Sequence, residues 1–523
     1  MKALIKSFEF TRAGFDDIKR YHFGMNWPLV YLIKNKKEIY VGETTNVYNR
    51  SRQHYESEDR RRLEQIYLIT DDEFNKSATL DIESLLIQHM VADGTFVLQN
   101  NSNGLVDHNY YFDKEKYRAK FEILWDELRG MSLVHKDLSE IRNSNIFKYS
   151  PYKALTDDQI YIADSILKHI KLEVGKSFIV NGGPGTGKTI LAIYLFKRLQ
   201  EMESTANLKI GLVIPMTSLR DTLKKVFKQV PGLKSSMVVG PSDVVGGNYD
   251  ILIIDEAHRL RQRRNITNYQ SFDINNKELG LDNGGTELDW IIKSSKHQVF
   301  LYDKNQSVKP SDINPSIYKN LDAVHYQLKS QKRVLGGEEY IQFIEDMFEL
   351  KATSKQGFEK YDFKIYDDIQ AMISDIKRKD EQFNLSRIVA GYAWTWKTKN
   401  EGESYDIEID GLKLIWNSTG SDWVNSPNAI NEVGCIHTVQ GYDLNYTGVI
   451  IGPELSYDPI NKKLMVDKDK YMDINGKRSI DDPVELERYI INIYKTLMTR
   501  GIRGTYVFVV DKALREYLKS CVA

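Results

Sequence analysis

Cysteine is nearly absent. Cys435 and Cys521 are the only two in 523 residues, which excludes a disulfide framework and a cysteine-rich zinc site and points to a reducing compartment. A charge excess of one sign is missing too: 72 Lys and Arg stand against 73 Asp and Glu, for a formal net charge of −1. A surface for nucleic acid must then be local and set against acidic surface elsewhere. No apolar run approaches membrane-spanning length, and the opening MKALIKSFEFTRAGFDD lacks the continuous apolar core of a signal peptide. The expectation is a cytoplasmic protein with no membrane partner. What remains, 41% hydrophobic and 28% charged residues, is the balance of a soluble globular chain, long enough for about three domains.

Among what is present, residues 177–190, SFIVNGGPGTGKTI, organise the rest. An apolar run stops there at a glycine-rich bend, and a helix-forming stretch takes over. The spacing Gly182-x4-Gly187-Lys188-Thr189 fits a phosphate cradle. Glycines, Gly185 among them, let backbone N–H groups point at a triphosphate; Lys188 reaches the outer phosphates, and the Thr189 hydroxyl can ligate Mg²⁺. Residues 177–180 read as a buried strand and 190–199 as the following helix. ATP with Mg²⁺ is the expected cofactor. Residues 250–258, DILIIDEAH, read as another buried strand, ending in paired carboxylates. Asp255 would hold the Mg²⁺ shell and Glu256 would polarise the attacking water.

Further positions extend this set. Gln159 lies near a helix start, and its amide can pair with the edge of adenine. After a strand at 210–215, Thr217-Ser218-Leu219-Arg220 stand where a motor would meet a phosphate backbone. The stretch 259–285 reads as a polar, irregular insertion whose Arg259, Arg261, Arg263 and Arg264 either grip a nucleic-acid strand or face solvent. Gln306 follows a strand at 298–302 and could sense the γ-phosphate. Arg333 and Arg500, with Arg503 beside the latter, would come from a second domain; an arginine delivered across a cleft stabilises transition-state charge. Gly441 permits a tight strand exit, and His437, Thr438 and Gln440 could link the phosphate site to a bound strand. Tyr392, Trp394, Trp396 and Trp416 either stack bases or pack in a core.

Taken in order, LTDDQ, GGPGTGKT, DEAH, DKNQ, LKSQKR, HTVQGYD and TRGIR resemble the motifs of superfamily 1 helicases, with spacing similar to the Schlafen-type branch. The resemblance covers about residues 150–515. It implies two RecA-like α/β domains with ATP in the cleft, contacted by the Gln159, Gly182, Gly185, Gly187, Lys188, Thr189, Asp255, Gln306, Gln440, Gly441 and Arg503 set, and single-stranded nucleic acid across the top.

Upstream, residues 27–42, WPLVYLIKNKKEIYVG, read as two short strands joined by a polar turn, a hairpin pattern. Arg50 and His54, four apart, would project from one helix face, and Glu83 sits beside the apolar stripe Ile82, Leu85, Leu86 and Met90. Leu29-Val30-Tyr31, Tyr40-Val41-Gly42, Arg50, His54, Glu83 and an asparagine in VLQNNSNG (Asn100, ahead of Asn101 and Asn103) resemble the motifs of the GIY-YIG endonucleases over about residues 27–105. One departure is Leu29, where the family's leading glycine would stand. The resemblance implies that Glu83 holds a divalent cation, Mg²⁺ or Mn²⁺, that Tyr31 and Tyr40 position or deprotonate water, and that Arg50 stabilises charge on the phosphate. Phosphodiester hydrolysis needs such groups in any fold.

The expected architecture is α/β: a small α+β GIY-YIG-type nuclease domain (1–112), a helical linker (113–150), and two RecA-like P-loop domains with mainly parallel sheets (151–327 and 328–523). The expected function is an ATP-dependent motor fused to a metal-dependent DNA endonuclease, in foreign-DNA restriction or DNA repair. Single-stranded or branched DNA is the expected partner, with RNA as the other substrate class and an oligomer or partner protein left open. The alternative is an ATP-gated binding protein with an inactive nuclease fold.

Overall fold

The computed structural model describes residues 4–100, 112–172, 175–352, 355–399, 404–420 and 422–522. Asn101 and Asn103 lie outside them. The chain divides into two compact units: residues 1–164 with 193–202 and 226–233, and residues 165–192 with 203–225 and 234–523. No helix among the described residues is long and apolar enough to cross a membrane.

In the first unit, β1 (Leu4–Glu9), β2 (Leu29–Lys34), β3 (Glu38–Thr44), β4 (Gln65–Thr70) and β5 (Val97–Leu98) form one sheet in the order β1-β4-β2-β3-β5. Every pairing is antiparallel except β3 with β5. The expected hairpin is β2–β3, and its turn closes on Asn35, whose Oδ1 accepts from the N–H groups of Lys37 and Glu38, each at 2.8 Å. Such a side-chain turn is what asparagine favours. The helix Lys76–Asp93 starts on the cap Asn75, stops at Gly94 with φ of 76°, and packs on β2 and β3. The helices Lys114–Gly130, Leu138–Asn143 and Asn145–Lys148 lie against it. The stripe Tyr117, Phe121, Leu124, Trp125 and Leu128 is buried, as its helical spacing requires. The last short helix is capped by Ser144, whose side chain accepts from Phe147 N–H.

The second unit holds two parallel sheets. β6 (Ser177–Gly182), β7 (Ile210–Val213), β8 (Val238–Val239), β9 (Tyr249–Ile254), β10 (Ser295–Tyr302) and β11 (Val324–Leu328) run in the order β11-β6-β10-β9-β7-β8. Their pairings are all parallel. The runs IGLV and ILII are apolar throughout because helices cover parallel sheets on both faces. The second sheet draws on β12 (Asp362–Tyr366), β13 (Ser386–Ala390), a separate antiparallel ribbon of β14 (Ile407–Ile409) and β15 (Leu412–Leu414), then β16 (Val433–Cys435), β17 (Leu444–Ile451), a second ribbon of β18 (Leu455–Asp458) and β19 (Lys463–Val466), and β20 (Gly501–Val509). Its order is β12-β20-β17-β13-β16, again all parallel. The α/β class with mainly parallel sheets is as expected.

This topology assembles a site by itself. Gly182, Ile254 and Tyr302 end β6, β9 and β10, which are neighbours, so the glycine loop, Asp255-Glu256 and Asp303 all follow the carboxyl ends of adjacent strands, where parallel sheets bind ligands. In the second sheet, Gln440-Gly441 precede β17 and Arg500 precedes β20, again adjacent.

One expectation for this unit changes and one open alternative is decided. The insertion at 259–285 is not irregular throughout: it contains the helix Tyr269–Glu278, and Phe272 packs on Trp290 with centroids 4.5 Å apart. Trp416 is buried, stacked on Tyr392 at 5.6 Å and 12°, with Trp394 and Trp396 half-buried against the same cluster. These aromatics belong to the core.

Candidate active sites

In the first unit, four elements bring the motif residues together. Tyr31 from β2 and Tyr40 from β3 have ring centroids 6.2 Å apart, and the His54 ring lies 5.7 Å from the first and 4.8 Å from the second. His54 Nε2 is 2.7 Å from Tyr31 Oη. Arg50, one turn earlier on the helix Val47–Glu56, lies close enough to both tyrosine hydroxyls for its charge to act on them. Glu83, from the helix Lys76–Asp93, is close enough to Tyr31, Arg50 and Glu43 for their charges to act on one another.

The electrostatics follow from enclosure. Burial, then the neighbouring Glu43 carboxylate, pushes Glu83 up to about 7, with Lys76 opposing. Burial, then Tyr40, pushes the Tyr31 hydroxyl well above its usual range, with Arg50 opposing. Burial, then Arg60 and Arg50, drives His54 down to about 3, so it is neutral. A desolvated carboxyl beside a second one fits a divalent cation, which would reverse the cost of both charges. No group of three or more His, Cys, Asp and Glu gathers among the described residues, so an ion on Glu83 would take its other ligands from water and phosphate oxygens.

Gly42 and Asn100 have structural explanations. The β2–β3 register sets Gly42 opposite Tyr31, and a Cβ there would fall 2.4 Å from Tyr31 Cζ and Oη. The aromatic ring occupies the space that any other residue would fill. Asn100 accepts from Val41 N–H at 2.9 Å and donates to Val41 O at 2.7 Å, extending the β3–β5 pairing with its side chain. It steadies the strand that carries Tyr40 and Gly42. Leu29, in place of a glycine, is a fully buried core residue.

Sequence reasoning missed Glu43, which pairs with Lys76 and accepts from Thr79 Oγ1 at 3.3 Å. It also missed Arg60, which donates to His54 Nδ1 at 2.6 Å and lies 4.0 Å over the Tyr40 ring. The second sits in the run Arg60-Arg61-Arg62, where nothing in the sequence singles it out.

In the second unit, Lys188 donates to Gly182 O at 2.6 Å and Gly183 O at 3.0 Å and lies 3.4 Å from Asp303 Oδ2. Gly185 and Gly187 have φ of 77° and 75°, a region that favours glycine. Thr189 donates to Asp255 Oδ2 at 2.7 Å, while Asp255 Oδ1 is buried with no hydrogen-bond partner. Burial, then the Glu256 charge, pushes Asp255 up to about 7. A cation beside Thr189 would satisfy that orphaned oxygen, so the pair fits Mg²⁺. Glu256 has φ of 52°, costly for a residue with a side chain. Its Oε2 stands 2.9 Å from His258 Nε2. Burial opposes the Glu256 charge, but His258, Lys188 and Arg500 more than offset it and hold its pKa below the usual carboxylate range.

Arg500 is buried and donates to Gln306 Oε1 at 3.2 Å; Gln306 in turn donates to Asp303 Oδ2 at 2.6 Å. A continuous polar chain thus links Arg500 to Lys188 through Gln306 and Asp303. Arg333 pairs with Asp443 and packs on the glycine loop, where a Cβ at Gly185 would meet Arg333 Cβ at 2.8 Å. Gln440 is buried with both amide atoms unpartnered, and Gly441 has φ of 90°. Arg503 is placed differently from its expected nucleotide contact, exposed and 4.6 Å over the Phe383 ring. Gln159 belongs to the first unit, where its Oε1 accepts from Thr156 N–H at 3.0 Å.

The four arginines of the insertion are all ion-paired, Arg259 buried and the other three partly or largely exposed. Arg259 pairs with Asp312 at 2.7 Å, Arg261 with Glu287 at 2.6 Å, Arg263 with Asp273 at 2.6 Å and Arg264 with Glu485 at 2.9 Å. Each cation already has its counter-ion.

Residues 175–511 match the family described as Schlafen group 3, DNA/RNA helicase domain, and residues 28–88 match the GIY-YIG catalytic domain. An uncharacterized protein of Saccharomyces cerevisiae, YPL245W, is 26% identical over 391 residues, covering 65% of this chain and 83% of that protein. Among solved structures, the Pif1 helicase from Candida albicans is 12% identical, over 70% of this chain and 99% of its own, at a TM-score of 0.29. The Bacteroides Pif1 helicase in complex with ADP-AlF3 and ssDNA is 10% identical, over 69% and 94%, at 0.30.

Proposed function

Because this chain belongs to the Schlafen group 3 helicase-domain family and also carries a GIY-YIG catalytic domain, we propose that it is an ATP-driven nucleic-acid motor fused to an active, metal-dependent DNA endonuclease. Two assembled clusters in one chain carry the reading: Tyr31, Tyr40, Arg50, His54 and Glu83 in one, and Lys188, Asp255, Glu256, Gln306 and Arg500 in the other.

In the nuclease pit, Glu83 would hold the Mg²⁺ or Mn²⁺ ion, which when bound supplies a Lewis acid for the scissile phosphate. Tyr31 and Tyr40 orient the attacking water, and Arg50 stands against the charge that develops on the phosphoryl oxygens. In the motor pit, Lys188 and the glycine loop bind the phosphates of ATP, Thr189 and Asp255 would hold Mg²⁺, Glu256 orients water, and Arg500 meets the transition-state charge. Gln306 ties Arg500 to Asp303, so nucleotide state and the position of the second lobe are coupled. Sheets confined to residues 4–98, 177–328 and 362–509 support domains at 1–112, 151–327 and 328–523, with 113–150 between. Restriction of foreign DNA or DNA repair is the role that such a pairing suits.

The test is cleavage of plasmid and oligonucleotide DNA with Mg²⁺, with and without ATP, by wild type, Glu83→Ala and Lys188→Ala. Wild type cuts, Glu83→Ala does not, and Lys188→Ala loses the ATP-dependent part; cutting by Glu83→Ala at the wild-type rate removes the nuclease claim. The family description covers DNA and RNA alike, so an RNA-directed enzyme is the second reading, and matched DNA and RNA strands in competition separate the two. The substitution of Leu29 for a motif glycine favours a third, an ATP-gated binder. Nucleic-acid-stimulated ATPase with no cut product under any metal selects it.

A further inference from the structure

We propose that Arg60 is a positioning residue of the nuclease pit: it sets the tautomer of His54, so that the imidazole donates its Nε2–H to the Tyr31 oxygen. The inference rests on the nuclease reading of that pit for its consequence in cleavage, though not for its geometry.

His54 is buried, 1% exposed, with both ring nitrogens engaged. Arg60 Nη1 lies 2.6 Å from Nδ1, and Tyr31 Oη lies 2.7 Å from Nε2. A guanidinium has only donors and stays charged. Nδ1 must therefore present its lone pair to Arg60, since a proton there would set donor against donor at hydrogen-bond distance. A neutral imidazole with a bare Nδ1 carries its proton on Nε2, and that proton points at the Tyr31 oxygen. Burial and the two neighbouring guanidiniums also keep His54 neutral, at about 3.

The consequence concerns which group takes a proton from which. With Nε2 protonated, His54 is not a base toward Tyr31. The Tyr31 oxygen instead receives a hydrogen bond from His54, which leaves its own proton directed away from the imidazole, and any negative charge on that oxygen is met by this fixed donor with the Arg50 charge nearby. Arg60 is itself held by its cation–π contact with the Tyr40 ring at 4.0 Å, so one guanidinium ties the second motif tyrosine to the orientation of the first. Arg60 reaches the pit from the four-residue helix Glu58–Arg61, outside every motif position.

The full chain labelled with ¹⁵N-histidine gives ring nitrogen shifts for its 10 histidines, with His54 assigned by loss of its signal in His54→Gln. Wild type shows His54 as the neutral Nε2–H form. R60Q, which keeps a donor but no charge, shows the same form; R60E, which offers an acceptor, shifts the proton to Nδ1. An Nδ1–H form in wild type, or no change in R60E, overturns the proposal. In the cleavage assay, R60M loses about ten- to a hundredfold and R60Q less than R60M, the scale seen when groups that orient a functional histidine are removed. Cutting by R60M at the wild-type rate also overturns it. If wild type itself cuts nothing, the nuclease reading fails, while the nitrogen shifts still decide the tautomer. Wild-type shifts decide it too if a variant does not fold.

Discussion

Gly42 bears a constraint that its place in a motif does not explain. Its neighbour across the hairpin is the Tyr31 ring, and a Cβ would fall 2.4 Å from the ring carbon and the hydroxyl, closer than any real contact. Tyr31 is buried, 1% exposed, so it cannot swing into solvent. Gly42→Ala should cost about 1–3 kcal/mol, the usual range for overpacking, and should lower cleavage about a hundredfold, the scale of an ångström-sized misplacement of a reacting group. Urea unfolding midpoints and single-turnover cleavage check both; unchanged stability would show that the ring has room to move. Glu256 is the parallel case in the motor pit. Its left-handed backbone aims a carboxylate that an extended chain would carry past the site.

Buried charge between elements sets a pH dependence. Glu454, 1% exposed, sits after β17 and accepts from Tyr494 on the helix Pro483–Met498. Gly391 and Gly452 leave room for its carboxyl, since a Cβ at either would meet a carboxylate oxygen at 2.6 or 2.3 Å. Burial pushes Glu454 from 4.5 up to about 7. Because the folded value is raised, its stabilising contribution is complete below the unfolded value and is lost as pH rises through about 7. Wild type should therefore lose about 3 kcal/mol relative to Glu454→Gln between about pH 5 and about pH 8. Denaturant titrations of both proteins at the two pH values measure it, and a constant difference would mean that Glu454 is ionised throughout. The same comparison across elements explains the insertion arginines: Arg264 bridges to Glu485, on the helix that follows 219 residues later in the chain's numbering at Pro483.

In the second unit as a whole, the two sheets meet at the chain Arg500–Gln306–Asp303–Lys188. Tyr442 adds to it, its hydroxyl 2.9 Å from Ser218 Oγ and 2.8 Å from Thr222 Oγ1, while its carbonyl accepts from Arg500 at 3.4 Å. A motor needs such a joint, because closure must be felt at the phosphates. Arg500→Ala should lower nucleic-acid-stimulated ATP hydrolysis about a thousandfold, as loss of an arginine finger does. Arg500→Lys should not restore it, since an ammonium cannot reproduce the planar fork that serves Gln306 and Tyr442 together. Steady-state phosphate release is the measurement. Wild-type turnover by Arg500→Ala would place the transition-state charge on another residue, with Arg333 beside Gly185 the next to test.

The phosphate loop, the acidic strand end and the β2–β3 hairpin were legible in the chain alone, because glycine conformation and apolar runs are local properties carried by neighbouring residues. The same holds for the α/β class, since buried parallel strands announce themselves as unbroken apolar segments. Packing settled the rest. Arg259, Arg261, Arg263 and Arg264 look alike in a row, and only their distant partners Asp312, Glu287, Asp273 and Glu485 make them ion pairs. Arg60 and Glu43 join the nuclease pit, and Arg503 turns to Phe383, through contacts between elements that no local pattern encodes. Backbone preference acts over a few residues, whereas the pairing and burial of charge depend on which surfaces the folded chain brings face to face.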